Sequence, residues 1–307
     1  MRWRVALTYP EAIVVGLGQG VTELFPVSSL GHSVLLPALI GGRWARDLDV
    51  SAPESPYLAF IVGMHVATAV ALLIFFRADW VRIIRGFLTS VRHRQISTPD
   101  ERLAWLILLA TIPVGLAGLL LEHTFRTVLG RPAPAATFLI VNGVVLLFAE
   151  RVRRRALEDI PVPAGRVPAP RQAGVHADRR LARLSVPSAL LIGSAQILAL
   201  LPGISRSGVT MAGGLVRGLD HEDAARFSFL LATPVILAAG VLKLPDLAGP
   251  LGAGIHGQVL AGSIVSGLGA YASVRWLTRW FTTRTLIPFA VYCLLAGAAS
   301  LTVLVVR

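Results

Sequence analysis

Two short polar stretches interrupt otherwise apolar sequence in this 307-residue chain, and both carry residue types that phosphoryl chemistry uses. The first, GQGVTELFPVSSLGH at 18–32, holds Gln19 and Glu23, which are four apart and so share one helix face on which they can grip a single ligand. Pro26 breaks that helix and is followed by Ser28, Ser29 and His32. Ser29 and His32 are three apart, a spacing that can set a hydroxyl beside an imidazole as nucleophile and base, while capping of the next half-helix is the plainer role for the serines. The second stretch, SAQILALLPGISRSG at 194–208, runs on to Thr210 and surrounds Arg206 with Ser205, Ser207, Gly203 and Gly208. A guanidinium fork matches phosphate oxygens in pairs, and hydroxyls with free amides at a helix start add donors. The competing role for Arg206 is a snorkelling side chain at a helix end.

A charge at mid-membrane costs about 2.5 to 3.5 kcal/mol, so an unpaired Glu23 and an unpaired Arg206 together cost roughly 5 kcal/mol or more. Mutual pairing or a ligand must offset that. A carboxylate beside an anion site in apolar sequence suggests metal-assisted phosphoryl chemistry on a lipid. Mg2+ or Ca2+ would bridge Glu23 to diphosphate oxygens, and Arg206 would neutralise charge on the transferred group. Of the remaining polar residues, His65 and Asn142 read as satisfied core groups, although His65 can also reach the same cavity. Glu11, just after Pro10, offsets a helix dipole. His221, Glu222 and Asp223 read as a solvated helix start. The lone cysteine, Cys293, lies in an apolar run and reads as core filler.

The elements that must position these residues are membrane helices. The chain is 54% hydrophobic and 15% charged, with charge-free runs over 58–76, 103–121, 133–149, 185–201, 227–242, 257–274 and 285–306, most of them long enough to span a bilayer. The net charge of +12 is not a nucleic-acid footprint, because 20 of the 29 lysines and arginines fall in four loops: 77–102, 151–184, 217–226 and 275–285. By the positive-inside rule those loops are cytoplasmic. An N-terminal signal peptide is not expected, since Gln19 and Glu23 interrupt the apolar run, and the N-terminus reads as retained.

The proline- and arginine-rich connection at 151–184 divides the chain into halves at 1–150 and 185–307, together one integral membrane domain. Sliding one interrupted stretch by 176 sets Pro26 on Pro202 and Ser29 on Ser205. With the basic loops on one side, the first half enters its interrupted segment from outside and the second from inside. The expected fold is therefore all-α: a polytopic helix bundle of two inverted-topology repeats, each with a re-entrant broken helix.

GQGVTELFPVSSLGH and LPGISRSGVT resemble the two signature motifs of the undecaprenyl-diphosphatase family of the bacitracin-resistance type, and the likeness extends to FIVGMHVATAVALLIFF at 60–76 and FSFLLATPVILAAG at 227–240. The resemblance implies hydrolysis of undecaprenyl diphosphate to the monophosphate, which recycles the lipid carrier of cell-wall synthesis. It further implies an inner-membrane location with the site open to the outer face. It carries the acidic pair onto Gln19 and Glu23, the serine and histidine onto Ser29 and His32, and the phosphate-binding group onto Ser205, Arg206 and Thr210. Ser28, Gly203 and Ser207 complete the expected phosphate contacts. The chain departs from the commoner pattern at Gln19, where many members have Glu, at Leu30 (often Thr) and at His65 (often Gln). The nucleophile stays open between Ser29, His32 and a water activated by Glu23. Expected partners are the polyprenyl diphosphate, membrane lipids and, as a homodimer, a second copy. The type 2 phosphatidic acid phosphatases are excluded, because their second motif needs a histidine where Ala212 stands. A polyprenyl-phosphate flippase is the alternative class, and phosphate release by purified protein separates the two.

Overall fold

The computed structural model describes residues 7–49, 56–158, 175–249 and 254–306, which among themselves form helices and turns and no strand. Residues 159–174 of the proline-rich connection and the arginines at 2, 4 and 307 lie outside the described residues. The helices are α1 (Tyr9–Thr22), α2 (Ser29–Ile40), α3 (Gly42–Asp47), α4 (Pro56–Phe75), α5 (Arg77–His93), α6 (Pro99–Leu129), α7 (Pro132–Glu158), α8 (Val175–Leu181), α9 (Val186–Ala195, continued by a 3-10 turn over Gln196–Leu200), α10 (Arg206–Val216), α11 (His221–Ala248), α12 (His256–Trp280) and α13 (Ile287–Val306). Proline opens α4, α6 and α7, where its missing N–H has no intrahelical partner to lose. The expected dipole role of Glu11 takes the form of a capping box, its carboxylate accepting from the backbone N–H and hydroxyl of Thr8.

Helices α6, α7, α11 and α13 are each long and apolar enough to cross a membrane; α4 and α5 make a fifth span if their 87° bend is counted within one. Large apolar side chains face outward, Leu120 at 78% and Leu295 at 67% exposure, as lipid solvation allows. The chain is a multi-pass membrane helix bundle. Two of the apolar runs behave differently from simple spans. The 185–201 run makes the short α9 with its 3-10 extension, and 257–274 lies in α12, whose glycines and serines trade hydropathy for close packing.

That packing sets the first polar stretch. A Cβ on Gly16 would lie 2.5 Å from the Gly262 carbonyl oxygen and one on Gly20 2.2 Å from that of Ser266, so only glycine lets α1 lie on α12. The order of these contacts makes the two helices parallel. α4 also runs parallel to α12, with Phe60 against Gly262 and Thr68 hydrogen-bonded to Ser266. In the second half α9 lies against α6, Gly193 meeting the Ala110 carbonyl. α13 runs antiparallel to α7, with Gly297 on Ala136 and Ala290 on Gly143.

The four basic loops gather at one end of the bundle. Asp178 accepts from Arg82 and, at 2.8 Å, from Arg226, which also reaches Asp79 at 3.1 Å. Arg180 holds Asp223 through two bonds of 2.6 and 2.7 Å. Glu150 accepts from the backbone N–H of Leu286 at 2.6 Å and lies 2.7 Å from His221 Nε2. The expectation of a solvated start at 221–223 is thus corrected: His221 and Asp223 are buried, each engaged by a charge from another element, and Asp220 caps α11.

Candidate active site

Both polar stretches fold as breaks between helices. α1 ends at Thr22, a turn spans 23–27, and Ser28 at φ 69° turns the chain into α2 while its side chain accepts from Gly31 N–H. In the second half the 3-10 turn gives way to 201–205, and Ser205 caps α10 by accepting from Gly208 N–H. Capping is therefore where these two serine oxygens are engaged. The breaks interlock. Gly203 (φ 109°) sits where a Cβ would come 2.3 Å from the Ala135 carbonyl oxygen, and its Cα is 2.9 Å from a Cβ built on Gly31. The hydroxyls of Ser205 and Ser207 donate to the Phe25 carbonyl at 3.4 and 3.2 Å. Thr210 donates back to the Arg206 carbonyl at 2.7 Å. Phe25 stacks on Trp276 and meets Phe289 edge-on, which anchors the first turn.

At the meeting point Arg206 donates to Glu23 Oε1 at 2.8 Å. Glu23 Oε2 accepts from Gln19 Nε2 at 3.0 Å and, in a shorter bond, from Ser29 Oγ. Glu23 and Gln19 are buried, and Arg206 keeps 13% side-chain exposure. Each charge thus offsets much of the other's desolvation. Two atoms are left over: Gln19 Oε1 and Arg206 Nη1 are buried with no hydrogen-bond partner among the described residues. One is an acceptor suited to a cation, the other a donor suited to an anion, and both border the same carboxylate.

The expected contact between Ser29 and His32 is absent, which corrects the reading of that pair. α2 turns Ser29 toward Glu23, whereas His32 Nδ1 donates to the Ser28 carbonyl at 2.7 Å and its Nε2 accepts from Tyr292 of α13, also at 2.7 Å. Two residues read as core are instead part of the arrangement. His65 Nε2 lies 3.4 Å from Glu23 Oε2 and 3.3 Å from Gln19 Nε2. Asn142, fully buried in α7, donates to the Pro26 carbonyl and accepts from Ser205 N–H, both at 3.0 Å, so one amide ties the two breaks together. Asn142 also donates to Cys293 Sγ at 3.3 Å, which accounts for that buried thiol. His65 is the tenth of the 20 residues of α4, about 15 Å from either end, so the site sits at mid-depth of the bundle.

Residues 12–299 match the family described as bacitracin resistance protein BacA. The chain belongs to that family. The match takes in both helix breaks and Tyr292. Among relatives of the BacA family member described here, the undecaprenyl-diphosphatase of Mycolicibacterium paratuberculosis is 68% identical over 98% of this chain and 99% of its own length. Undecaprenyl-diphosphatase 1 of Frankia casuarinae is 56% identical over 95% and 97% respectively. Undecaprenyl-diphosphatase 2 of Chromobacterium violaceum is 42% identical over the same shares of the two chains. What sequence reasoning missed in this BacA family site had a weak signal. His65 and Asn142 are polar groups at the centre of apolar runs, and Tyr292 is distant in sequence from the histidine it meets.

Proposed function

We propose that this chain hydrolyses undecaprenyl diphosphate to undecaprenyl phosphate and inorganic phosphate, recycling the lipid carrier of cell-wall synthesis and conferring bacitracin resistance. The observation that carries the reading is the 2.8 Å pair between Glu23 and Arg206 across the two helix breaks, in a chain that shares most of its length with undecaprenyl-diphosphatases.

The unpartnered Nη1 of Arg206 faces the distal phosphate, where its fork binds oxygens and offsets charge developing on the transferred group. Ser28, Gly203, Ser205, Ser207 and Thr210 shape the backbone around that phosphate. The bond from Ser29 to Glu23 pairs a nucleophile with a base. Ser29 Oγ attacks the distal phosphorus and its proton passes to Glu23. The bridging P–O bond breaks and undecaprenyl phosphate leaves. Water then attacks the same phosphorus, the P–Oγ bond breaks, the proton on Glu23 returns to Ser29, and phosphate departs as H2PO4− with both hydrogens of the water. His32, turned away from Ser29, positions the start of α2 instead of acting as the serine's base.

A divalent cation fits the acidic side of the site, because Glu23 and the orphaned Oε1 of Gln19 supply oxygen donors of the kind Mg2+ and Ca2+ take. Bound there, it would neutralise diphosphate charge.

The two breaks belong to an inverted repeat in this reading. α1 lies on α12 as α9 lies on α6, α4 pairs with α11 and α7 with α13, and α1 enters from the end opposite the basic loops while α9 enters from the basic end. With the basic end cytoplasmic, and the Phe25 stack on Trp276 lying toward it, we infer an inner-membrane protein whose site opens to the outer face. Self-association as a homodimer is a separate proposal, tested by cross-linking in membranes.

The test is phosphate release from long-chain prenyl diphosphate by purified protein. Wild type should turn over, and Glu23→Ala and Arg206→Ala should not; substrate binding without release would refute hydrolysis and favour a transporter. Rapid quench should trap a phosphoserine that Ser29→Ala lacks. Full activity in that variant, with solvent oxygen entering phosphate directly, would shift the nucleophile to water.

A further inference from the structure

His65 has a geometry that hydrolysis as described leaves unused. Its Nδ1 donates to the Ile61 carbonyl one turn back on α4, at 2.9 Å. In the neutral ring that bond places the proton on Nδ1 and leaves Nε2 with its lone pair, the orientation that metal-ligating histidines commonly receive from a backbone carbonyl. The lone pair points at Glu23 Oε2, 3.4 Å away. In that tautomer two acceptors face each other, and the group that contacts both is the Gln19 amide nitrogen, 3.0 Å from Glu23 Oε2 and 3.3 Å from His65 Nε2. Its two N–H groups bridge the pair of acceptors that a cation would bridge. The cost of this arrangement is the amide oxygen, buried without a partner among the described residues. A half-turn of the amide exchanges its oxygen and nitrogen and brings three donors together: one carboxylate oxygen, one amide oxygen and one imidazole nitrogen.

We propose that His65 is a ligand of the cation held by this site, joining Gln19 and Glu23, and that its imidazole turns the preference from Mg2+ and Ca2+ toward Mn2+, Co2+ and Zn2+. The inference rests on the cation-dependent reading of the site given above. All-oxygen sets suit Mg2+ and Ca2+, whereas an imidazole donor raises affinity along the first transition row. Gln19 acts in the same direction, since a neutral amide gives the hard cations one less negative charge.

The experiment titrates Mn2+ into the purified full-length protein, follows bound ion by electron paramagnetic resonance, and looks for 14N coupling in the spin-echo modulation. Wild type should show a 14N coupling that His65→Gln loses. The variant should hold Mn2+ roughly 10- to 100-fold more weakly, the range that follows even from loss of an outer partner of a metal ligand, while its affinity for Mg2+ changes by less than about threefold. No 14N coupling in wild type would overturn the proposal without any variant having to fold, and His65 would then be only an ion-pair partner of Glu23. A coupling that persists in His65→Gln would overturn it as well. Phosphate release measured on the same samples separates this from the hydrolase reading. Release without nitrogen coupling sinks the ligand assignment alone, and coupling without release under any metal sinks hydrolysis while leaving His65 a ligand.

Discussion

A single carboxylate carries most of what this site can do, because Glu23 receives Arg206 on one oxygen and Gln19 and Ser29 on the other. The value of Arg206 lies in its fork, which can hold Glu23 with one nitrogen and a phosphate with the next. Arg206→Lys keeps the charge and loses that geometry. We expect it to leave the protein folded and to lower kcat/KM for phosphate release by about 100- to 1,000-fold, the range seen when one donor to a developing oxyanion is removed; a loss of under threefold would show that charge alone suffices. Gln19→Glu adds a second carboxylate and should lower the half-saturating concentration of Mg2+ on the order of tenfold. An unchanged metal titration would remove Gln19 from the ligand set. Glu23 and Arg206 were legible in the sequence because a lone charge in an apolar run has few structural uses. The partner of Ser29 was not legible: helical spacing offered His32, and the choice of Glu23 depends on how the turn over 23–27 is folded back, which pattern alone does not fix. Tyr292, on α13, carries no local signal of its contact with His32.

At the scale of elements, the site exists because two helix breaks are pressed together, and Asn142 is the group both breaks share. Asn142→Leu removes the bonds to Pro26 and Ser205, strands the buried Ser205 N–H, and leaves the Pro26 carbonyl only the weak Cys293 thiol at 3.8 Å. The expected cost is about 1–3 kcal/mol for each group so stranded. It should appear as a lowered midpoint in thermal denaturation together with lost phosphate release, although Asn142 does not contact Glu23 or Arg206. Stability loss with activity per folded molecule intact would mean that the two breaks hold their geometry without it. The breaks themselves were readable from Pro26, Pro202 and the surrounding glycines, as were the long helices from charge-free runs. The role of α12 was less so. Its glycines and serines read as a moderately apolar span, whereas they form the seat on which Gly16 and Gly20 of α1 lie. Gly20→Val would place a side chain where a Cβ already comes 2.2 Å from the Ser266 carbonyl oxygen, and should abolish accumulation of folded protein in membranes.

Across the whole molecule the two halves are joined by polar contacts at two depths. One is the mid-depth pair of Glu23 with Arg206. The other is at the basic end, where Asp178 from the connection holds Arg82 of the first half and Arg226 of the second, and Glu150 of the first half meets His221 and Leu286 of the second. Composition separates the jobs within the connection. Residues 159–174 are proline-rich and without a hydrophobic pattern, while Asp178 is 1% exposed and neutralises two arginines. Asp178→Asn leaves Arg82 and Arg226 without that carboxylate. Both arginines keep Asp79, at 2.9 and 3.1 Å, and Arg82 is 27% exposed, so the cost falls below the about 3–5 kcal/mol of stranding a buried charge. We therefore expect Asp178→Asn to lower the thermal midpoint in detergent and to leave turnover per folded molecule within about twofold, since the mid-depth contacts are untouched. Replacing 159–174 by a glycine-serine segment of equal length should change neither quantity. If the replacement were as damaging as Asp178→Asn, the connection would be joining the halves along its length and not through the ion pairs at its end.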